Sequence, residues 1–366
     1  MIDSTKRLVI DASRLKSGGG VLHLTKILEY SYFSKFDEII VYTYRNSEFE
    51  KYQNEKIFIR SHTFINKSIF FQIYWQRFLL KTELSEGDLL FSIDSTTFCN
   101  YDKNVILNQD IIGFQEGSFK ILSFTNKLIS FLKYIVARRA IKRSIACIFT
   151  TSFAESEVKK KVGEITNTYI IPHGIDDTGL IRKTDFDNNK SLRIIYVSPI
   201  LDYKNHKNLV SAINDTAVKS KVSAYFVGGG DNALTDELKS LAKNDLGNTF
   251  HFLGYLDREQ VYELTRDCDI AVFLSSIECF GISLLEYMRI GMPIICSDQS
   301  SMPETLENTG ILVDPQSIPE IIDAINSLSL DSKTRREYGK KAYQKSLKYD
   351  WEFTARATFE MLNKHS

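Results

Sequence analysis

Apolar residues fall in short runs, rich in β-branched and aromatic side chains, that alternate along the chain with longer stretches of helical spacing. In the first half the runs are LVIDA (8–12), EIIVYTY (38–44), DLLFSI (88–93), NVILN (104–108), ACIFTT (146–151) and TYIIP (168–172). In the second they are RIIYVSP (193–199), SAYFVGG (223–229), TFHFLG (249–254), DIAVFLS (269–275), PIICSD (293–298) and GILVD (310–314). A strand apolar on both faces is one covered on both sides, so the pattern predicts parallel sheets flanked by helices. Two doubly wound α/β units in tandem follow. The polar stretch 176–191 has no apolar periodicity and is the linker candidate between them. At the far end Trp351, Phe353, Ala355, Phe359 and Leu362 take the spacing of a terminal helix that docks on another element.

Composition agrees with two domains: the 366 residues are 43% hydrophobic and 25% charged, ordinary for a globular chain and long for one core. Disorder, collagen-like repetition and a disulfide mini-scaffold are excluded. Cys99, Cys147, Cys268, Cys279 and Cys296 are odd in number and widely spaced, with no zinc-type cluster. They predict buried thiols and a reducing, cytoplasmic compartment. The opening MIDSTKRLVIDAS lacks a cleavable apolar region. No apolar run approaches the roughly 20 residues of a membrane span.

Lys plus Arg and Asp plus Glu number 46 each, which removes the broad positive field of a protein that coats nucleic acid. The balance hides an asymmetry, because residues 1–182 carry 25 basic and 20 acidic side chains and residues 183–366 carry 21 and 26. From Gly117 to Thr150 stand Lys120, Lys127, Lys133, Arg138, Arg139, Lys142 and Arg143, interleaved with large apolar residues and no acid. The pattern fits a basic amphipathic helix on an anionic membrane surface, with Lys133, Arg138, Arg139, Lys142 and Arg143 as its membrane or acceptor contacts. It equally fits a core helix with a solvated basic face.

Glycine-bearing turns that join strands to helices are where backbone N–H groups meet phosphates. Gly18-Gly19-Gly20 precedes a helix from Leu22 to Tyr30 but lacks the GxGxxG spacing of a dinucleotide fingerprint. Gly228-Gly229-Gly230 ends the strand SAYFV and by itself reads as a tight turn. Richest is the stretch from Ser275 to Met288, where the strand DIAVFLS runs into a loop carrying Glu278 and Gly281 opens a helix ending near Gly291. On one continuous helix Glu278 and Glu286 would stand about 12 Å apart, unsuited to a glycosidase pair. With Glu278 in the loop and Glu286 on the helix, both approach the helix N-terminus, whose N–H groups between Phe280 and Ser283 suit a diphosphate. Leucines beside Glu286 imply partial burial and therefore a partner, such as a ribose diol.

This E-x7-E segment with its internal Phe280-Gly281 resembles the signature of retaining glycosyltransferases of family 4, which have the two-domain GT-B architecture. Further likenesses are Ile171-Pro172-His173-Gly174-Ile175-Asp176, Tyr196 to Ile200 with Lys204-Asn205-His206, Phe226 to Gly230, Phe252 to Leu256, Gly291 to Ile295 and Pro303-Glu304-Thr305. The match is continuous from about 192 to 352 and in the first half rests mainly on the glycine loop. The resemblance implies an α/β GT-B fold of two tandem Rossmann-like domains facing a cleft. It places an acceptor-binding domain over 1–180, a linker over 181–191 and a nucleotide-sugar domain over 192–348, with a helix over 349–366 crossing back to the first domain.

Carried over by position, the resemblance gives Glu278 the donor sugar and Glu286 the ribose. Backbone amides around Phe280, Gly281 and Ile282 would meet the sugar and diphosphate, Lys204 would neutralise the diphosphate, and Gly229 belongs to the donor-side turn. Gly19 or Gly20 would meet the phosphate across the cleft. Three departures stand out. The family's arginine five residues before the lysine is Pro199 here. Its first-domain histidine is absent, with Asp110 or Gln109 at the corresponding strand end, so Asp110 is the catalytic candidate there. His173 replaces a commoner asparagine, read as a tolerated turn variant.

Asp185-Phe186-Asp187 and Asp267-Cys268-Asp269 both read DxD, yet the first lies in the linker and the second at the wrong end of its strand for a ligand, so both read as structural. The implied activity is transfer of a hexose-type sugar, with retention, from a nucleotide-diphosphate donor to an acceptor hydroxyl, without cofactor or metal. With the basic segment, the expected acceptor is a lipid-linked oligosaccharide in bacterial O-antigen or capsule synthesis, at the inner face of the cell membrane. The rivals are a non-catalytic binding protein of the same fold, for which Pro199 speaks, and a sugar-nucleotide epimerase of the same architecture.

Overall fold

Each of the twelve apolar runs becomes a strand. The computed structural model describes residues 6–16, 18–122, 124–177, 179–186, 191–215, 217–242 and 247–366, and Asp187 of the first DxD lies outside them. The chain opens with β1 (Arg7–Asp11), α1 (Gly19–Glu29), β2 (Glu38–Tyr42), β3 (Ile57–Arg60), α2 (Ile69–Tyr74), β4 (Leu89–Ser92) and β5 (Asn104–Asn108). It continues through α3 (Ser118–Ile121), α4 (Phe124–Arg143), β6 (Ala146–Phe149), α5 (Ser152–Val162) and β7 (Thr168–Ile170). Next come β8 (Leu192–Val197), α6 (His206–Ile213), β9 (Val222–Val227), α7 (Asn232–Leu241), β10 (Thr249–Gly254), α8 (Arg258–Asp267) and β11 (Ile270–Phe273). The last elements are α9 (Ile282–Ile290), β12 (Ile294–Ser297), α10 (Met302–Leu306), β13 (Ile311–Val313), α11 (Ile318–Leu330), α12 (Ser332–Ser346) and α13 (Trp351–Lys364).

Two units result, each built on its own parallel sheet. The first orders its strands β3-β2-β1-β4-β5-β6-β7, and the second β10-β9-β8-β11-β12-β13. The second unit runs from Ile175 to Tyr349, while α13 belongs with the first. In each sheet the strand order reverses beside its first strand, between β1 and β4 and between β8 and β11. Such switch points open a crevice at the carboxyl ends of the strands, which is where open α/β sheets bind ligands.

The central strands are apolar because both faces are covered: every residue of β4, β5, β6, β11 and β12 is buried. The strand that the apolar pattern misses is β3, an edge strand whose four residues run from buried Ile57 to exposed Arg60. A half-covered edge needs no apolar run. In α13 the buried positions Ala355, Phe359 and Leu362 join the first unit's core and Trp351 is buried against His23 and His173, whereas Phe353, expected on the docking face, is exposed and off that stripe. Cys147, Cys268 and Cys296 are buried, and Cys99 and Cys279 partly so.

The basic segment departs from its expected amphipathic pattern. On α4, Ala137 and Ile141 face inward, while Leu128, Ile129, Phe131 and Leu132 are exposed. Leu128, Leu132, Arg139 and Arg143 are spaced by four, seven and four residues, which at about 3.6 residues per turn puts them on one stripe. On this exposed stripe polarity therefore changes along the helix axis, from leucine to arginine.

Buried histidines, His23 among them, couple stability to pH. His206 stacks on Tyr196 with ring centroids 4.4 Å apart, and burial, then the Lys204 charge, lowers its pKa to about 3. His173 packs against His23 and Trp351, with the two imidazole Nδ1 atoms 3.1 Å apart, and burial lowers its pKa to about 4. Both rings stay neutral in the fold while the unfolded chain takes up protons below about pH 6.5, so stability falls with pH from there down toward the folded values. Between pH 7 and pH 5 each ring is expected to cost about 2 kcal/mol. Urea midpoints across this range check it, and His206→Phe should flatten the slope.

Candidate active site

The second unit's switch point collects four loops. Lys204 follows β8, the triple glycine follows β9, Glu278 follows β11, and Ser300 and Ser301 follow β12. Lys204 is nearly buried, and its ammonium forms an ion pair with the Glu278 carboxylate. The same Nζ lies 5.3 Å from the ring centres of Tyr203 and Phe273, which favour a cation at their faces.

Both partners of that pair are held by their backbones. Tyr196 donates its hydroxyl to the Lys204 carbonyl at 2.7 Å. Asn205 sits in the left-handed region with φ 55°, and its Nδ2 donates to the Leu274 carbonyl at 2.7 Å and to Ser276 Oγ at 2.8 Å. The loop after β8 is thereby stapled to the end of β11. Glu278 is clamped from the other side: its N–H donates to Ser300 Oγ at 2.8 Å, and its carbonyl accepts from Ser300 Oγ at 2.7 Å and Ser301 Oγ at 2.8 Å. Phe280 is buried edge-on against Tyr349, and its carbonyl accepts from Thr305 at 3.2 Å.

Gly281 then adopts φ 85° as the N-cap of α9. A Cβ there would meet Met302 at 2.9 Å in a backbone region that L side chains avoid, so glycine is required at this turn. The first intrahelical bond reaches back from Leu285 N to the Gly281 carbonyl at 3.2 Å. The N–H groups from Ile282 to Leu284 thus have no acceptor within the helix, next to Glu278 in sequence.

Glu286, one turn into α9, has a separate set of partners on α8. It accepts from the Tyr262 hydroxyl at 2.9 Å, and Arg258 Nη2 lies 3.6 Å from its Oε1. Burial raises its pKa, against the opposing pull of Arg258 and Tyr262. Arg258 also reaches Asp176 at 3.6 Å. Arg258 is thus a cation on α8 engaged with Glu286 and Asp176, at a position unrelated to that of Pro199. Pro199 itself lies in a close backbone crossing: Ile200 N donates to the Gly229 carbonyl at 2.9 Å and Asp231 N to the Ile200 carbonyl at 3.1 Å. Gly229 lies under the exposed ring of Tyr255.

In the first unit, Gly19 and Gly20 form the first residues of α1, whose N-cap Gly18 makes no side-chain capping bond. A Cβ on Gly20 would lie 3.7 Å from Gln109 Nε2, so the end of β5 does meet the glycine turn. Gln109 makes that approach. Asp110 turns toward α4, 4.0 Å from Lys133, and accepts the Ile112 N–H at 2.9 Å. At the end of β1 stands a buried carboxylate that the sequence pattern did not single out. Asp11 accepts from Ser13 Oγ at 2.6 Å and Gln76 Nε2 at 2.7 Å.

Residues 178–345 match the family Glycosyl transferases group 1. The match takes in most of the second unit and a little under half of the chain. Over 153 residues the chain is 30% identical to the N,N'-diacetylbacillosaminyl-diphospho-undecaprenol alpha-1,3-N-acetylgalactosaminyltransferase of Campylobacter jejuni, covering 41% of this chain and 39% of that protein. It is 22% identical over 160 residues to O-antigen chain mannosyltransferase B of Escherichia coli, covering 43% and 42%. The chain thus spans about two-fifths of the length of these curated relatives. Among solved structures, sucrose-phosphate synthase from Thermosynechococcus elongatus superposes with a TM-score of 0.77 at 17% identity over 98% of each chain. HepE of Anabaena in complex with UDP-glucose gives 0.73 at 17% identity, over 98% of this chain and 99% of that one. At such identity the likeness concerns the fold, two Rossmann-like units of GT-B type.

The group 1 domain contains Lys204, Gly229, Glu278, Phe280, Gly281, Ile282 and Glu286, whereas Gly19, Gly20 and Asp110 lie outside it. Its Asp267 and Asp269 share a polar depression with Arg182, Lys183, Asp185 and Arg193. Asp269 accepts the Arg193 N–H at 2.8 Å and is a strand anchor. Among the described residues no group of three or more His, Cys, Asp or Glu is placed to hold a metal.

Asn205 is the staple on which the domain's lysine depends, which gives a graded expectation. Asn205→Ala loses two buried hydrogen bonds and forces a β-carbon-bearing residue without a local bond into the left-handed region, at about 3 kcal/mol. Asn205→Gly restores the conformation but not the bonds, at about 2 kcal/mol. Denaturant midpoints separate the two terms, and equal losses would remove the conformational one.

Proposed function

We propose that the protein is a retaining glycosyltransferase that moves a hexose-type sugar from a nucleoside diphosphate to a hydroxyl of a lipid-linked oligosaccharide, in the assembly of a cell-surface polysaccharide. The observation that carries this reading is the Lys204–Glu278 pair, held by backbone clamps beside the amide-bearing start of α9 in a group 1 domain. A cation and aligned amides serve a departing diphosphate, and a carboxylate serves the sugar hydroxyls. Glu286, oriented by Tyr262 and Arg258, would take the ribose.

In the reaction the bond from the anomeric carbon to the diphosphate oxygen breaks as the bond to the acceptor oxygen forms on the same face. The acceptor proton passes to the leaving phosphate oxygen, so positioning and electrostatics supply most of the rate. On this reading no resident metal or cofactor takes part. Two of the relatives are named as an undecaprenol-linked sugar transferase and an O-antigen mannosyltransferase, and HepE is complexed with UDP-glucose, which support the donor and acceptor classes. Lys133 at the middle of α4 and the basic end of that helix, with Arg138, Arg139, Lys142 and Arg143, would work at the inner face of the cell membrane. Among the described residues no helix is long and apolar enough to cross a membrane.

Incubation with a panel of radiolabelled sugar nucleotides and a membrane lipid extract tests the reading. Label should enter the lipid fraction with one donor and vanish with Glu278→Ala. Absence of both transfer and donor hydrolysis across the panel would overturn it.

A further inference from the structure

The first unit carries an exposed aromatic strip that the group 1 reading does not use. Helix α2 runs on into a π-helical turn, Trp75–Leu79. Gln72, Trp75 and Gln76 point inward, while Phe70 is 78% exposed and Phe71, Tyr74 and Phe78 are also exposed. Phe64 joins Phe70, Phe71 and Tyr74 around an open apolar hollow. Large aromatics gathered on one surface are costly to leave in water, and such patches mark interaction sites.

Immediately beside the strip the chemistry changes sign. Arg77, from the π-helical turn, shares a depression of about 400 Å³ with Arg139 and Arg143 of α4, over a floor that includes Thr97, Cys99 and Asn100. Arg143 donates to Asn100 Oδ1 at 3.0 Å. Among the described residues no carboxylate lines this depression. Three guanidiniums around a concave polar floor suit a phosphate, to which arginine presents paired donors. The Arg77 guanidinium lies 5.5 Å from the ring centre of Phe78 in the strip, and the exposed Leu128 and Leu132 continue the Arg139–Arg143 stripe toward the start of α4.

We propose that Arg77, Arg139 and Arg143 form a binding site for the phosphate of an anionic lipid headgroup, with Phe70, Phe71, Tyr74 and Phe78 entering the acyl layer beside it. Charge complementarity selects the occupant: a cationic hollow bordered by exposed aromatics matches a headgroup bordered by hydrocarbon. The site deepens, and rests on, the lipid-linked acceptor of the proposed function. It identifies the element that seats the lipid as the α2–π segment together with the basic end of α4, and not α4 alone.

Co-sedimentation of the full chain with vesicles of phosphatidylglycerol and phosphatidylcholine tests the site. Arg77→Ala/Arg139→Ala/Arg143→Ala should lower partition on the order of a hundredfold, near 1 kcal/mol for each charge. Phe70→Ser/Phe71→Ser should lower it at least tenfold with all three arginines in place. A charge-matched control in the second unit, Lys340→Ala/Lys341→Ala/Lys348→Ala, should leave it unchanged. Unaltered partition of the arginine variant overturns the site, and so does an equal loss in the control, which would mean a diffuse field. Equal displacement of the wild type and the aromatic variant by millimolar inorganic phosphate would also overturn it, by making the hollow a soluble-anion pocket. Should the triple variant unfold, Arg139→Glu reads the same partition. The transfer assay separates the two failures. Label reaching lipid while the arginine variant still binds vesicles sinks the site alone. Arginine-dependent vesicle binding with no label in any lipid sinks the acceptor reading alone.

Discussion

Lys204→Ala is expected to lower kcat/KM for sugar transfer about a thousandfold, the scale of losing one preorganised charge aimed at a leaving group in a water-poor site. The size of the effect follows from how firmly the ammonium is placed. Lys204 is nearly buried, its carbonyl is held by Tyr196, and the next residue is stapled to β11 by two hydrogen bonds. Nothing else on the loop after β8 replaces that charge, because the position five residues earlier is Pro199. Arg258 is committed to Glu286 and Asp176.

Glu278→Ala should cost a similar factor, since Lys204 then loses its carboxylate and the sugar its acceptor. Groups that act as one unit are strongly non-additive, so the double variant should lose little more than either single one. Losses that multiply would mean that the two side chains work at separate steps, and the pair would not be the catalytic unit. Glu278→Gln divides the roles further. It keeps hydrogen-bonding capacity for sugar hydroxyls but removes the charge that holds the ammonium, so KM should change less than kcat.

The parts of this site that could be read from sequence are those whose chemistry lies in one segment. Glu278, Gly281 and Glu286 were legible because a strand, a loop and a helix start follow one another within a dozen residues, with Gly281 and Gly291 marking both ends of α9. Arg258 and Tyr262 were not, because they belong to an otherwise ordinary polar helix and meet Glu286 only when α8 packs beside α9. Ser300 and Ser301 carry no pattern of their own. Their role arises from β12 ending next to the Glu278 loop. His173 looked like a tolerated turn residue, since nothing local signals that His23, 150 positions earlier, shares its burial. The basic segment misled in another way: counting charges finds the excess, but only exposure along α4 separates its apolar half from its basic half.

The triple glycine reads as a tight turn in sequence, and its three residues are expected to respond quite differently to a single methyl group. Gly228→Ala and Gly230→Ala should each destabilise the protein by about 3 kcal/mol, the upper range for overpacking a close contact. Gly228 has φ 134°, and a Cβ on it would fall inside the contact distance of the Ser198 carbonyl; on Gly230 it would strike the Ile200 carbonyl. Both obstacles are backbone, pinned by hydrogen bonds from Ser198 N to the Val227 carbonyl at 2.8 Å and from Ile200 N to the Gly229 carbonyl at 2.9 Å. Neither loop can withdraw without breaking the crossing that shapes the path to Lys204. Gly229→Ala meets only the ring of Tyr255, which is 81% exposed and free to swing into solvent, so its cost should stay below about 1 kcal/mol. Thermal unfolding reads the contrast directly, as falls of about 10 °C for the outer two glycines and about 2 °C for the middle one. Equal falls at all three would mean that the turn needs glycine for flexibility alone and that the backbone crossing is not what constrains it.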